Sequence, residues 1–554
     1  MTVNDNVGVS QVRFFVDGNL LGSDTAAPYS IDWDTTAETD GDHTLRAEAE
    51  DAAGNVGQSA ELTVTVQNAL QFLLSLTGNE EVPAVESAGS AVADLMIDVG
   101  TGTVEGTLTI TGIDVTAAHI HDGFAGNTGP VLIGLDQDPA DPAIYRVPAG
   151  ATLDSAGIDD LLAAGLYLNA HTLANPGGEL RAQILPQDFV LYYTSLSGSN
   201  EVPRVDSVAS GRAGVTVNTA SGAIVVQARV SGLDGASGAH VHDGYAGENG
   251  PVLVGLTQDG ANPGRWSVED GVLNAAGLDS FNAGALYLNV HSMAHPGGEI
   301  RGQIIPDGIS LLVTELSGDQ EVPAVSTAAS GTGFLTHDTA GGLITINVST
   351  RNLTDASAAH LHGAYGGLNG GVEIGLVQDG SDPSRWFIEM ASLSVDQAAA
   401  LAAGATYVNV HTSDNSGGEI RGQVIPDGIL FATGSLEGRQ EVPPVASAAG
   451  GTFAVTVDSA TSIMQAHANT TGVNEPTAAH LHDGYAGAGG GVSVGLAQDP
   501  NEMSRWSATD VTLTADQFTA FSSGRLYVNV HTMANPTGEI RGQVAPPPIE
   551  VLFV

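Results

Sequence analysis

The sequence predicts an all-β protein that is built from tandem domains. The 554 residues include 72 glycines and are rich in Val, Thr and Ala, a composition typical of strands joined by tight turns. Short segments alternate apolar and polar residues with the period of a half-buried strand. A set of motifs recurs with a step of about 120 residues, which is the size of a whole domain and too long for a solenoid repeat.

Four copies of one unit follow a shorter N-terminal domain. Each copy carries Glu-Val-Pro near its start, His-x-His in its middle, a single His later and a closing Glu-aliphatic-Arg. The glutamates of Glu-Val-Pro keep a constant spacing and are Glu81, Glu201, Glu321 and Glu441. We predict domains at residues 1–68, 69–188, 189–308, 309–428 and 429–548, followed by a C-terminal strand at 549–554.

The N-terminal domain shows alternation over residues 12–16, 29–33, 43–47 and 62–66, with turn residues between these segments. Short strands at this spacing predict a β-sandwich. The run Asp5-Asn6-Val7-Gly8-Val9-Ser10 and the turns at 16–18 and 51–55 resemble bacterial immunoglobulin-like domains of surface proteins. The resemblance covers the later strands of such a domain.

Each copy also contains one predicted helix before its last histidine. In the third copy Ser394 is the expected N-cap, Asp396 lies in the first turn, and residues 398–403 favour a helix. Gly404 follows as the residue that ends it.

The histidines of each copy predict a site on one face of two strands. In the second copy His240 and His242 point to one side of a strand and Val241 to the other. Tyr287, Asn289 and His291 likewise share a face of a later strand. If the two strands are neighbours, three imidazoles gather on the face away from the core. The twelve residues are His119, His121, His171, His240, His242, His291, His360, His362, His411, His480, His482 and His531.

Three imidazoles without nearby thiols predict a metal site, and the alternative is a set of hydrogen-bonded histidines that rigidify a strand junction. All-imidazole ligation suits copper, with zinc as the alternative, and the affinity order of divalent ions favours Cu²⁺. Three protein ligands leave a fourth position for water or a neighbouring group. Acidic loops such as 379–382 offer oxygen ligands for Ca²⁺, but none has EF-hand spacing, and solvated turns are the favoured interpretation.

Three neighbouring residue types have predicted supporting roles. Asn289 lies two residues before His291 on the same face, and we expect it to orient that ring. Tyr287 shares the face and either shields the site, takes part in electron transfer or packs as an edge aromatic. Glu299 and Arg301 alternate with an aliphatic residue and predict a cross-strand ion pair.

The combined pattern of Glu-Val-Pro, Ala-His-aliphatic-His, Asn-x-His-Thr/Ser and Gly-Glu-Ile-Arg-Gly-Gln resembles the CHRD domain, named for chordin, over residues 69–548. The resemblance implies Greek-key β-barrels of the copper–zinc superoxide dismutase kind, in which a His-x-His strand supplies metal ligands outside the barrel. It therefore implies ligand roles for His119, His121, His171 and the matching trios. The chain lacks a counterpart of the dismutase's bridging histidine, zinc loop and disulfide, so we do not expect dismutase activity.

Composition excludes several classes of function. The formal net charge is −47, and all 16 basic residues are arginine. Nucleic-acid binding through phosphate neutralisation is therefore not expected. Without lysine there is no Schiff-base chemistry, and without cysteine there are no disulfides or thiolate ligands. No run of 18 apolar residues occurs, so we expect no membrane insertion. The acidic composition fits a secreted, salt-tolerant or calcium-bathed protein, and we expect an extracellular or cell-surface location.

Residues 549–554 form an apolar strand sequence that matches the opening strand of a further copy. Either the chain is a fragment of a longer repetitive protein, or this strand completes a sheet of the next subunit and generates a head-to-tail filament. We expect a non-enzymatic, copper-binding structural protein of a bacterial surface or filament. A copper redox enzyme and a surface adhesin are the alternatives.

Overall fold

The computed structural model describes residues 8–547, and it confirms the predicted all-β class. The N-terminal domain is one antiparallel sheet in the order β2–β1–β3–β4, with β5 also paired to β3. Its strands are β1 (Val9–Val16), β2 (Asn19–Asp24), β3 (Gly41–Asp51), β4 (Val56–Gln58) and β5 (Leu62–Val66).

The predicted strand at residues 29–33 is wrong, because this segment is irregular. The Asp24 carboxylate accepts hydrogen bonds from the main-chain N–H groups of Ala26 and Ser30 and holds the chain in a turn. Tyr29 donates its hydroxyl to the carbonyl of Val9, which fixes the segment across the end of the sheet. Local hydrogen bonds between side chains and the backbone thus replace the β-sheet hydrogen bonds that the alternation of apolar and polar residues favours.

Each of the four repeats forms a closed or nearly closed eight-stranded barrel with one short helix. The first repeat comprises β6 (Ala69–Leu76), β7 (Ser90–Asp98), β8 (Val104–Thr111), β9 (Val115–Asp122), β10 (Val131–Gln137), β11 (Ile144–Arg146), α1 (Ser155–Leu162), β12 (Leu166–Thr172) and β13 (Leu180–Ile184). The second comprises β14 (Phe189–Ser197), β15 (Ser210–Asn218), β16 (Ala223–Ser231), β17 (Ala236–Asp243), β18 (Val252–Gln258), β19 (Arg265–Val272), α2 (Ala275–Asn282), β20 (Leu286–Ser292) and β21 (Ile300–Ile304).

The other two repeats reproduce this order. The third comprises β22 (Ile309–Ser317), β23 (Ser330–Asp338), β24 (Leu343–Arg351), β25 (Ala356–Gly363), β26 (Gly371–Gln378), β27 (Arg385–Ser392), α3 (Val395–Ala402), β28 (Thr406–Thr412) and β29 (Ile420–Val424). The fourth comprises β30 (Ile429–Glu437), β31 (Gly450–Asp458), β32 (Ile463–Thr471), β33 (Pro476–Asp483), β34 (Gly491–Gln498), β35 (Arg505–Thr512), α4 (Ala515–Ser522), β36 (Leu526–Thr532) and β37 (Ile540–Val544). The exact domain boundaries stay predictions.

The third repeat shows the Greek-key connection. Its strand order is β22–β23–β24–β27–β26–β25–β28–β29, so β24 pairs with β27 instead of its successor. The barrel closes where Ser317 of β22 lies opposite Arg421 of β29. In the first repeat the two edge strands meet through a single bridge between Thr77 and Arg181.

The core of each barrel is aliphatic, as the alternation predicts. In β25, Ala359 and Leu361 are fully buried in the interior, whereas the two histidines of the strand lie on its other face. Burying one Leu or Ile side chain stabilises a domain by about 1.5–3 kcal/mol. The predicted helix is confirmed: Ser394 caps α3 in a capping box with Gln397, and Gly404 follows the helix with φ +69°.

The chain divides into two compact units. One contains the residues up to Ser195 together with Gly211–Leu233 and Gly255–Ala275, and the other contains Leu196–Ser210, Asp234–Val254 and the chain from Ala276 onward. Among the described helices, all are too short or too polar to cross a membrane.

Candidate metal centre

The strand that carries His-x-His lies beside the strand that carries the third histidine. In the second repeat β17 pairs antiparallel with β20, with His240 opposite Asn289 and His242 opposite Tyr287. A register shift near the start of β17 places His291 opposite Gly238, where no side chain separates its ring from His240. The two strands are therefore neighbours, and the three rings share their outer face.

The structure brings together all twelve predicted residues, in four groups of three. In each group the three ligand atoms lie within 4.8 Å of one another. In the second repeat the ring centroids of His240, His242 and His291 are 5.6, 5.0 and 5.8 Å apart. Among residues 8–547 these four trios are the clusters of His, Asp and Glu with metal-ligand geometry, and the acidic loops do not form one.

Backbone carbonyls determine which nitrogen faces the centre in two of the three rings. Nδ1 of His242 lies 3.0 Å from the carbonyl oxygen of Gly250, and Nδ1 of His291 lies 3.1 Å from that of Pro296. Because a carbonyl only accepts, these Nδ1 atoms carry the hydrogen and leave the Nε2 lone pair free. His240 presents its Nδ1 to the same centre. Carbonyl oxygens at the matching positions of the other repeats repeat this arrangement.

All three inward nitrogens of the second repeat are buried and have no hydrogen-bond partner: Nδ1 of His240 and Nε2 of His242 and His291. A buried polar atom without a partner is costly, about 1–3 kcal/mol each, and requires an explanation. In the second repeat, three such atoms that converge on one point fit a shared metal ion. In the first, third and fourth repeats two of the ring nitrogens lie 3.0, 3.0 and 3.3 Å apart, which is the distance of a hydrogen bond.

The protonation state of the rings also fits metal binding. Burial lowers the pKa of the His121 ring to about 4, so this ring is neutral at pH 7. Burial likewise lowers the pKa of the rings His119, His171, His240, His242, His291, His360, His362, His411, His482 and His531. The neutral imidazole is the form that donates a lone pair to a metal.

A tyrosine and an arginine support one ring from behind. Tyr287 stacks on His242 with centroids 4.9 Å apart and planes 12° apart, and the Arg301 guanidinium lies 3.4 Å from the centroid of the tyrosine ring. Arg301 donates to the carbonyls of Glu248 and Tyr245, in the turn that follows His-x-His. The same turn supplies Gly250, whose N–H donates to the Tyr287 hydroxyl. Arginine, tyrosine and turn therefore form one support for His242.

Two predictions about these neighbours are wrong. Glu299 and Arg301 do not form an ion pair: Arg301 is only 1% exposed and engages carbonyls, whereas Glu299 accepts a hydrogen bond from Ser207. Asn289 does not orient His291, because its amide donates to Glu201 at 3.1 Å and the ring is held by a main-chain carbonyl. Strand alternation gives the face of each side chain but not the segment that covers that face.

The glutamate of Glu-Val-Pro is a buried neighbour of the site whose role the sequence did not reveal. Asn169 donates to both carboxylate oxygens of Glu81 at 3.0 and 3.2 Å. Burial outweighs the attraction of the nearby arginine and raises the pKa of this carboxyl to about 7. Burial raises the pKa of the matching glutamates to the same value: Glu201, Glu321 and Glu441. Their constant spacing was the available signal.

Replacing Glu81 with glutamine is expected to flatten the pH dependence of stability in the first repeat. The folded pKa of about 7 lies above the ordinary 4.5, so the folded state binds more protons than the unfolded state between these values. The stabilisation is complete below pH 4.5 and is lost as the pH rises through 7. Hydrogen-exchange mass spectrometry from about pH 6.5 to 8 measures the free energy of unfolding of the first repeat. This pH range is chosen because the histidines of the unfolded chain are mostly neutral there. Equal pH slopes in both proteins, with the other repeats as internal controls, would contradict the assignment.

These features define a class of protein, a tandem array of Greek-key barrels with three imidazoles on the outer face of each. The family model of the CHRD domain matches residues 72–184, 192–304, 312–424 and 432–544, and the chain belongs to this family. The family model of a bacterial Ig domain matches residues 1–47. Both resemblances inferred from the sequence are thereby confirmed.

A curated relative is chordin from Danio rerio, which is 29% identical over 159 residues. The alignment covers 25% of this chain and 16% of chordin, so the chain spans about a sixth of that protein's length.

Proposed function

We propose that this chain is an extracellular structural protein in which each barrel holds one copper ion through its three histidines. The observation that carries the proposal is the convergence of three buried, unpartnered ring nitrogens in the second repeat. The donor set is all imidazole, and burial lowers the pKa of these rings, which favours the neutral form. Such a set suits copper or zinc, and copper binds more tightly among divalent ions. A bound ion would supply a link between two neighbouring strands and, as copper, a redox-active centre.

Titration of the metal-free full chain tests this proposal. Calorimetry against a competing chelator is expected to give saturation at four Cu²⁺ ions per chain, with Zn²⁺ binding more weakly at the same sites. Absence of saturable binding would return the histidines to a purely structural role. Zn²⁺ binding more tightly than Cu²⁺ would contradict copper as the resident ion.

The alternative is a copper redox enzyme that acts on superoxide or another small oxidant. Four equivalent sites in one chain favour a material or copper-storing role over a single tuned active site. A superoxide turnover assay on the copper-loaded chain separates the two functions. Turnover that scales with the number of loaded repeats would favour the enzyme.

We also propose head-to-tail assembly, in which residues 549–554 of one chain add to the N-terminal sheet of the next. These residues lie outside the described part of the chain, and their apolar sequence is the first support. The second support is an apolar groove of about 470 Å³ on that sheet, lined by Phe14, Leu21, Tyr29, Trp33 and Leu45 among others. Edge strands β2 and β5 expose Leu20 and Leu62, which suits strand addition.

Deletion of residues 549–554 is expected to abolish polymers, because a heterologous contact that does not close generates filaments only while both of its halves are present. Negative-stain electron microscopy and sedimentation measure the assembly. Unchanged copper uptake by the deletion variant is the control for folded barrels. Polymers of undiminished length, or a wild-type chain that stays monomeric at all concentrations, would contradict strand donation.

A further inference from the structure

A cleft of about 310 Å³ lies between the second and third repeats and is lined by an unusual number of arginines. Its lining includes Arg204, Arg351, Arg385, Ser330 and Ser349. The chain has 16 basic residues against 63 acidic ones, so three guanidinium groups around one cleft are not expected from composition.

These arginines are incompletely neutralised by the protein. Arg351 donates to the main-chain carbonyl of Arg204 at 3.3 Å, and no carboxylate of residues 8–547 forms a salt bridge with it. Arg204 reaches Glu315 at 3.6 Å in an exposed pair, which is worth little. Arg385 forms an ion pair with Asp379, six residues earlier in the chain, at 3.3 Å. Arg351 therefore brings to the cleft a positive charge that forms no ion pair with a carboxylate of residues 8–547.

Comparison between repeats shows that this cluster is particular to one junction. The residues that correspond to Arg204 are Ala84, Ala324 and Pro444, and those that correspond to Arg351 are Thr111, Ser231 and Thr471. Arg385, by contrast, has counterparts in Arg265 and Arg505. The barrel fold does not require the first two arginines, since three other copies form without them.

The acidic residues of the cleft limit the charge of a ligand. Glu201 is buried, and its raised pKa of about 7 reduces its charge. Asp382, which accepts hydrogen bonds from the N–H and hydroxyl of Ser384, and Glu315 also line the cleft. These carboxylates repel a dianion such as phosphate more strongly than a monoanion.

We infer that this cleft binds a monoanionic oxyanion carried by a hydroxylated small molecule, namely the carboxylate of a sugar acid or the sulfate ester of a sugar. Guanidinium forks match carboxylate and sulfate oxygens in pairs. The serine and threonine hydroxyls around the cleft suit sugar hydroxyls. The volume lies at the lower end of the range for small-molecule sites and accommodates about one sugar unit. This inference is independent of the copper sites.

Calorimetry of the full chain with glucuronate, glucose 6-sulfate, inorganic phosphate and glucose tests the inference. Binding of glucuronate or the sulfate ester is expected, with phosphate and uncharged glucose much weaker. The ratio of the affinities for glucuronate and glucose 6-sulfate shows whether the cleft prefers a carboxylate or a sulfate ester. No binding of either sugar anion at about 10 mM, or glucose binding as tightly as glucuronate, would overturn it.

Two variants install the residues of the other junctions, Arg204→Ala and Arg351→Ser, and each is expected to weaken anion binding more than about tenfold. Arg439→Ala is the matched control, because its side chain is 76% exposed on the fourth repeat and lies outside the cleft. The melting temperature, measured with and without anion, shows whether these arginines bind the anion or only hold the two repeats together. Variants that lower the melting temperature but keep the wild-type anion affinity would overturn the inference and leave the arginines as structural contacts.

Discussion

Replacing His291 with alanine is expected to reduce copper uptake from four ions per chain to three. The ring supplies one of only three inward nitrogens in the second repeat, and the other two, from His240 and His242, cannot hold the ion with comparable affinity. Removing a ligand should cost more than the 10- to 100-fold loss that follows removal of a residue supporting a ligand. Mass spectrometry of the copper-loaded, desalted chain gives the stoichiometry directly.

His295→Asn is the matched control for this variant. His295 lies four residues beyond His291 and stands where the other copies have Asn175, Asn415 and Asn535. It belongs to none of the four trios, so its replacement should leave four ions bound. An identical loss in both variants would show that the effect reflects general damage to the second repeat. Four ions bound by His291→Ala would remove that residue from the site.

Replacing Arg301 with methionine is expected to destabilise the second repeat, because each buried carbonyl that loses its donor costs about 1–3 kcal/mol. The carbonyls of Glu248 and Tyr245 would lose their donor, and Tyr287 would lose the cation over its ring. Arg301→Lys keeps the charge but not the planar fork, so we expect an intermediate loss.

The same variant should also weaken copper binding in the second repeat by about 10- to 100-fold. The loosened turn contains Gly250, whose carbonyl fixes the tautomer of His242. Hydrogen exchange over residues 236–258 measures how far the turn is loosened. The equivalent residues of the third repeat show whether the effect is confined to the second repeat. Arg439→Met, at an exposed arginine, should change stability by less than about 0.5 kcal/mol. Wild-type protection in Arg301→Met would contradict the supporting role.

The histidine trios were predictable because a strand has a period of two. Because of this period, His240 and His242 share one face of their strand, and Tyr287 and His291 share one face of theirs. The three imidazole rings therefore meet once the two strands are neighbours. The helix around Ser394 was predictable for a similar reason, since its capping residues and Gly404 act locally.

The support of the site depends on segments that alternation does not describe. Arg301 alternates as a surface residue would, yet it is buried because the turn after His-x-His folds over the outer face of the barrel. Glu201 becomes its buried neighbour only through the closure of the barrel. The apolar pattern favours a strand over residues 29–33, because that pattern contains no sign of the hydrogen bonds that Asp24 accepts from the backbone.

The most direct test of the central claim is the metal content of protein purified natively, without added metal or chelator. If the trios hold copper as proposed, we expect about four copper ions per chain by mass spectrometry, one for each trio. No bound metal, together with no uptake on titration, would contradict the claim and leave the twelve histidines as structural residues of the barrels.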